Sequence, residues 1–123
     1  MAARPISKED IREKLKFAQK WITTTTTDIF SSNVPEDTMR YIIKLIITGD
    51  QVTTRVVEIK KKKEDGTYVT IIPNITVAAT ETEEIPKFHD LESPIITLEG
   101  GTNLAGVVSG NSVSVTVIYW DSP

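Results

Sequence analysis

The chain has 123 residues, of which 39% are hydrophobic and 25% charged, and its formal net charge is −3. This length predicts one globular domain with a core of its own. The lack of cysteine excludes disulfides, thiolate metal sites and a cysteine nucleophile. The single histidine, His89, argues against a histidine-rich metal site and against a Ser-His-Asp hydrolase. Composition therefore favours a structural role over catalysis and predicts no cofactor.

β-Branched residues dominate the composition. The sequence contains 16 Ile, 11 Val and 17 Thr. These side chains have restricted χ1 angles and fit a pleated sheet better than a helix. An all-β body is therefore expected.

The N-terminal segment is the exception to this pattern. Ser7 and Asp10 resemble a helix capping box, and Lys and Arg residues surround an apolar stripe at helical spacing. The sequence predicts one amphipathic helix over 8–20, followed by an extended arm that starts at the threonine run 23–27 and continues to about residue 30. We therefore divide the chain into a helix and arm, 1–30, and a β-sandwich domain, 31–123.

A short amphipathic helix is marginal alone in water, so its stripe must be covered. Its own sandwich or a neighbouring subunit can cover it. We expect the neighbour, because an arm in extended conformation can reach past its own body. Trp120 in the last predicted strand also suits an interface, because large aromatic residues are enriched there. The predicted interface residues are Ile11, Leu15, Ala18, Trp21, Ile22 and Trp120.

Strand signals follow one another from residue 38 onward. Turn residues separate them at Gly49-Asp50, Asp65-Gly66, Gly100-Gly101 and Gly110-Asn111, and one long acidic loop spans 81–94. With the arm, these segments give about eight strands at the spacing of an antiparallel, jelly-roll-like β-sandwich. The predicted strands are 39–48, 51–61, 68–72, 75–80, 95–98, 104–109 and 112–120.

A lysine run at the end of one predicted hairpin is the only candidate polyanion site. It consists of Lys60, Lys61, Lys62 and Lys63. The run could bind phosphates or an acidic neighbour. A solvated hairpin tip with edge-protecting lysines is the simpler interpretation, and no aromatic residue within the run could stack on bases. Nucleic acid is therefore not an expected partner.

The acidic loop contains two further candidates. Its carboxylates suit calcium, but their spacing matches no EF-hand, so a hydrated loop is the default. His89 beside Asp90 could be a base and its orienting acid, yet adjacent side chains rarely face each other and no nucleophile is marked. The glycines around Gly100 lack the following helix that a phosphate site needs. We predict no catalytic, metal or cofactor residue, and the carboxylates considered are Glu81, Glu83, Glu84, Asp90 and Glu92.

The first ten residues lack the apolar core of a secretory signal, and no segment approaches the ~20 apolar residues of a membrane span. We expect synthesis in a host cytoplasm and no membrane partner. Charge is also uneven along the chain: residues 1–63 hold 13 of the 14 Lys and Arg residues. Opposite charge at the two ends suits head-to-tail or arm-to-neighbour contacts, although folding could intermix the halves.

The C-terminal third carries a resemblance. It has IITLEGGTNL at 95–104, SGN at 109–111, and alternating Val113, Val115, Val117 and Tyr119. This segment resembles the C-terminal end of small virion proteins of tailed phages and related viruses. The resemblance implies a jelly-roll-like sandwich that decorates or cements a capsid, typically as a trimer, with a major capsid protein as a possible partner and the virion as its location.

Two functions from different classes follow. The first is a structural, self-assembling protein, a virion decoration or minor capsid protein acting through subunit contacts. The second is a ligand-binding β-sandwich module for carbohydrate or nucleic acid. We do not expect an enzyme.

Overall fold

A computed structural model describes residues 8–49, 52–87 and 93–122. They form one short helix and nine strands. The elements are α1 Lys8–Lys14, β1 Lys16–Ile22, β2 Thr27–Asp28, β3 Met39–Thr48, β4 Arg55–Lys62, β5 Tyr68–Val77, β6 Thr82–Ile85, β7 Ile96–Leu98, β8 Asn103–Val108 and β9 Val113–Ser122. The helix α1 has seven residues and is too short to cross a membrane, and no other helix occurs in the described ranges.

The strands form two antiparallel sheets. One has the order β1-β9-β3-β6, with β7 also paired to β3, and the other has the order β2-β8-β4-β5. β6 pairs with residues 45–48 of β3 and β7 pairs with residues 40–42, so together they occupy one edge. If β6 and β7 are counted as one interrupted strand, each sheet has four strands. The chain passes back and forth between the two sheets as in a jelly roll. The predicted fold class is confirmed.

The core lies between the sheets and follows from the period-two alternation of apolar residues. In β9, Val113, Val115 and Val117 are fully buried, while Ser114 and Thr116 face outward. β4 and β8 supply the facing layer of the opposite sheet. Burial of this surface is the main stabilising term of the sandwich.

Strand β3 is the most apolar segment because both of its faces are covered. Ile42, Leu45 and Ile47 point into the core between the sheets. Ile43 lies at a register shift and packs on the outer side against Ile11 of α1. The strand predicted at 39–48 is confirmed to the residue.

The predicted helix over 8–20 is wrong in its second half. α1 ends at Lys14, and residues 16–22 form β1, which pairs along its whole length with β9. Ala18 and Ile22 are four residues apart, a spacing that keeps two side chains on one face in a helix and in a strand alike. Backbone pairing with β9 decides between the two, so the boundary expected at residue 30 does not separate an arm from a body.

Three further strand expectations need correction. Residues 68–77 form one strand, because Pro73 and Asn74 make a bulge opposite Glu58 and do not break it; Asn74 has a φ of 53°. Proline is tolerated there because β5 is an edge strand. β6 lies within the expected acidic loop, and β4 begins at Arg55, not at residue 51. Asp50 of the expected hairpin turn lies outside the described residues.

Candidate functional site

Three of the predicted interface residues are buried within the chain itself. Ile22 belongs to the core between the sheets, and Ile11 packs with Trp120 on the outer face of β3 and β9. Leu15 and Ala18 are half-buried beside them. The helix stripe therefore packs on its own subunit, contrary to the expectation that a neighbour covers it. The reason is that β1, by joining the sheet, carries Ile22 into the core.

Trp21 remains exposed, and it has an aromatic neighbour that the sequence analysis missed. Trp21 is 54% exposed and Phe17 is 69% exposed, and both project from the outer face of β1. Gln19 lies between them and donates its side-chain amide to Ser114 Oγ at 2.8 Å. We call Phe17 and Trp21 the aromatic edge. Alternation at residues 17, 19 and 21 was the available signal, but it is visible only once the segment is known to be a strand.

Trp120 is held under α1 and cannot serve as a surface anchor in this conformation. It is 6% exposed, and its ring lies 4.6 Å from that of Tyr41 at a tilt of 31°. Among the described residues, no acceptor lies within hydrogen-bond distance of its buried indole nitrogen. The helix therefore covers an aromatic surface that would otherwise be exposed.

A polar cleft of about 440 Å³ opens beside β1 at one end of the sandwich. Lys20, Ser31, Ser32 and Arg40 are among its lining residues. Arg40 is bound to Asp121, and no described residue of the lining is a carboxylate or a histidine that could activate a serine hydroxyl. A smaller groove of about 240 Å³ on the other sheet is lined mainly by valines.

The lysine run is partly neutralised by carboxylates of its own chain. Lys61 Nζ contacts both oxygens of Glu99 at 2.7 and 2.8 Å, and Lys62 Nζ donates to Asp28 at 3.0 Å. The bond from Lys61 holds the pKa of Glu99 below its usual value. The bond to Asp28 raises the pKa of Lys62. Two of the four charges are thus compensated, which weakens the case for a polyanion site; Lys60 is half-buried and Lys63 is exposed.

The carboxylates considered for a metal do not form a site among the residues that the structure describes. Glu84 contacts Lys44 Nζ at 3.2 Å, and Glu81 and Glu83 lie on or next to β6. No group of three potential ligands occurs in the described ranges. His89, Asp90 and Glu92 lie outside them. Gly101 forms the expected turn, with a φ of 85° and its N–H donating to the Val34 carbonyl at 2.8 Å.

Comparison with known proteins gave matches to solved structures alone. No family model and no curated protein matches the chain. A pentameric capsid protein from metagenomic phage sequences is similar at 16% identity and a TM-score of 0.45, over 94% of this chain and 68% of that one. A second such structure, solved by iodide phasing, has 14% identity and a TM-score of 0.44, over 94% and 73% of the two chains. A chain of the T13 IBDV viral particle is similar at 15% identity and a TM-score of 0.47, over 85% of this chain and 30% of that chain.

Proposed function

We propose that the chain is a structural protein that assembles through contacts between its own copies, and that it serves in a virion as a decoration or minor capsid protein. The observation that carries this proposal is the aromatic edge, Phe17 and Trp21 on the outer face of β1. Large aromatic residues are enriched in protein interfaces, where they supply much of the binding energy.

The aromatic edge offers enough apolar surface to matter. A Phe or Trp side chain buries about 150–250 Å² when it is fully covered. Both side chains are more than half exposed. Covering what remains exposed would contribute about 5 kcal/mol at ~25 cal/mol per Å², before the entropic cost of association. Pairing with β9 already fixes the strand that carries both rings. Association through the aromatic edge therefore does not have to order this backbone.

The proposed location in a virion has two supports. The strand order is that of a jelly roll, an architecture shared by viral capsid proteins, lectins and cupins. The C-terminal segment, at 95–119, resembles that of small virion proteins. A fold alone does not fix a function, so the choice among these classes rests on the aromatic edge and on the resemblance. A trimer and a major capsid protein as partner are the finer parts of this proposal.

Light scattering coupled to size-exclusion chromatography tests the proposal. We compare the natural chain with the double variant F17S/W21S and with V69S, a control that removes an exposed apolar residue of β5 on the other sheet. We expect the natural chain and V69S to run as the same oligomer and F17S/W21S to run as a folded monomer. Equal oligomers for all three proteins would contradict a role for the aromatic edge.

The same samples distinguish the competing ligand-binding function. Trp21 is exposed and could stack on a sugar ring. A natural chain that is monomeric at every concentration, and whose tryptophan fluorescence shifts on addition of oligosaccharides, would overturn the assembly proposal in favour of a carbohydrate-binding module.

A further inference from the structure

The two edges of the five-stranded sheet carry opposite charge. β1 forms one edge and includes Lys16 and Lys20. β6 lies at the other edge, includes Glu83, and directly follows Glu81. The edges are separated by β9 and β3, so one molecule presents a basic edge and an acidic edge on opposite sides of a single sheet.

Folding places several other charges of the chain in ion pairs, but not these four. Basic residues of the first half pair with acidic residues of the second half in three ion pairs: Arg40–Asp121, Lys44–Glu84 and Lys61–Glu99. The ion pairs formed among the described residues include none of Lys16, Lys20, Glu81 and Glu83. Part of the charge asymmetry of the sequence is thus intermixed by folding, and part of it persists at the two sheet edges.

The strand directions also fit a contact between the two edges. β1, β9, β3 and β6 are each antiparallel to the next, so β1 and β6 run in opposite directions. A neighbouring copy that places its β1 beside β6 therefore continues the antiparallel alternation. Two β1 edges can also pair as antiparallel strands, but that contact brings four lysines together, which is unfavourable.

The side chains that would meet lie on the same face of the extended sheet. Lys20 is opposite Val115 and Glu83 is opposite Ile47, and both of these partners point into the core. Lys20 and Glu83 therefore share the inner face of their edges. Paired strands lie about 4.8 Å apart, which brings side chains at opposed positions into contact. The outer face of the same junction would contain the aromatic edge.

We propose that copies of this chain associate head to tail, with the basic β1 edge of one copy docked on the acidic β6 edge of the next. This inference rests on the proposed function and names the surfaces that serve it. Such a contact joins two different surfaces, so it repeats from copy to copy and closes into a ring when the rotation permits. The lysines of one β1 edge repel those of a second β1 edge. This repulsion disfavours symmetric pairing and leaves the acidic edge as the preferred partner.

Charge reversal tests the inference. We compare K16E/K20E, E81K/E83K, the fourfold variant that combines them, and K63E, a control at an exposed lysine of the β4–β5 hairpin. Circular dichroism first establishes that each variant is folded. We expect both double variants to be monomeric at concentrations where the natural chain and K63E are fully assembled, and we expect the fourfold variant, with its charges exchanged, to recover assembly.

Mixing the two double variants distinguishes head-to-tail contact from symmetric pairing. In the mixture both kinds of junction pair opposite charges, so a head-to-tail contact predicts assemblies larger than a dimer in which the two variants alternate. Symmetric pairing of β1 edges predicts mixed dimers that cannot grow. If E81K/E83K assembles alone as well as the natural chain does, the acidic edge is not part of the contact and the inference is overturned, while the proposed function stands. If the natural chain itself is monomeric throughout, the proposed function fails and this inference fails with it.

Discussion

Arg40 and Asp121 close one end of the sandwich with a two-pronged ion pair that links β3 to β9. The guanidinium Nε and Nη2 atoms donate to the two carboxylate oxygens at 2.8 and 3.0 Å. The same guanidinium lies 4.4 Å from the ring centre of Phe30 and 4.6 Å from that of Tyr119. These two rings meet edge to face at 4.9 Å. One arginine therefore holds together the last strand, the third strand and the segment that follows β2.

Removal of this arginine should destabilise the fold. Arg40→Ala leaves the mostly buried Asp121 carboxylate without its cation and removes both ring contacts. We expect a loss of about 2–4 kcal/mol in the free energy of unfolding, measured by urea denaturation. Arg40→Lys should lose less, because it keeps the charge but not the planar fork. Lys61→Ala, which breaks an exposed pair, is the control and should cost less than about 1 kcal/mol. Equal losses for the two alanine variants would contradict this account.

Gly100 is required by the close approach of two loops. A Cβ at this position would lie 2.9 Å from the carbonyl oxygen of Pro35 and 3.0 Å from the Cα of Glu36, and backbone atoms cannot yield easily. Gly100→Ala should therefore cost about 1–3 kcal/mol. Gly49→Ala is the matched control, because its nearest contact is an ordinary 3.4 Å to a methyl group of Val77. Thermal unfolding should show a lower Tm for the first variant alone. A Tm unchanged in G100A would contradict so close an approach of the two loops.

Asp28 controls two ionisations on the outer face of the smaller sheet. Tyr68 donates its hydroxyl to Asp28 at 2.9 Å, and this bond raises the pKa of Tyr68 above its usual 10.0. A raised pKa in the folded state stabilises the fold below about pH 10 and loses that contribution as the pH rises through the folded value. The ion pair of Lys62 with Asp28 has the same sign, because the pKa of Lys62 is also raised.

Asp28→Asn should lower the pKa of one of the three tyrosines toward 10. The absorbance change of tyrosinate near alkaline pH measures this shift. Glu99→Gln removes an equal charge from the Lys61 pair and should leave the tyrosine titration as it is. A titration curve that is identical in D28N and the natural chain would show that the bond between Tyr68 and Asp28 does not persist in solution.

Ile11 should hold α1 over Trp120. Ile11→Ala removes the buried contact between them and should cost about 2–3 kcal/mol. In a Trp21→Phe background Trp120 is the only indole, since the chain has two tryptophans. We expect a red-shifted emission in I11A because water then reaches the ring. Leu15→Ala, at a half-buried neighbour, should shift the emission less; an emission unchanged in I11A would mean that the helix does not cover Trp120.

The sequence predicts the fold best in strands where the pattern of apolar residues fits only one kind of secondary structure. β9 alternates cleanly between Val and Ser or Thr over 113–117, and β3 is largely apolar because α1 and the opposite sheet cover its two faces. Both strands were predicted, and so was the sandwich. The predicted helix wrongly includes residues 16–20 because the spacing of Ala18 and Ile22 satisfies both periods, and only long-range pairing with β9 distinguishes a strand from a helix there.

The candidate site was partly predictable for the same reason. Trp21 was chosen as an interface residue from its size, and it is exposed. Phe17 was missed because the helical interpretation gave it no special face. Ile11 and Trp120 are predicted as interface residues, but both are buried against each other within one subunit, and periodicity cannot reveal which surface covers a stripe.

Sedimentation velocity of the natural chain over a wide range of concentrations tests the central claim most directly. A chain that works by assembly through β1 should sediment as one species, several times heavier than its 13.7 kDa monomer and unchanged on dilution. A 13.7 kDa particle at every concentration would contradict the account.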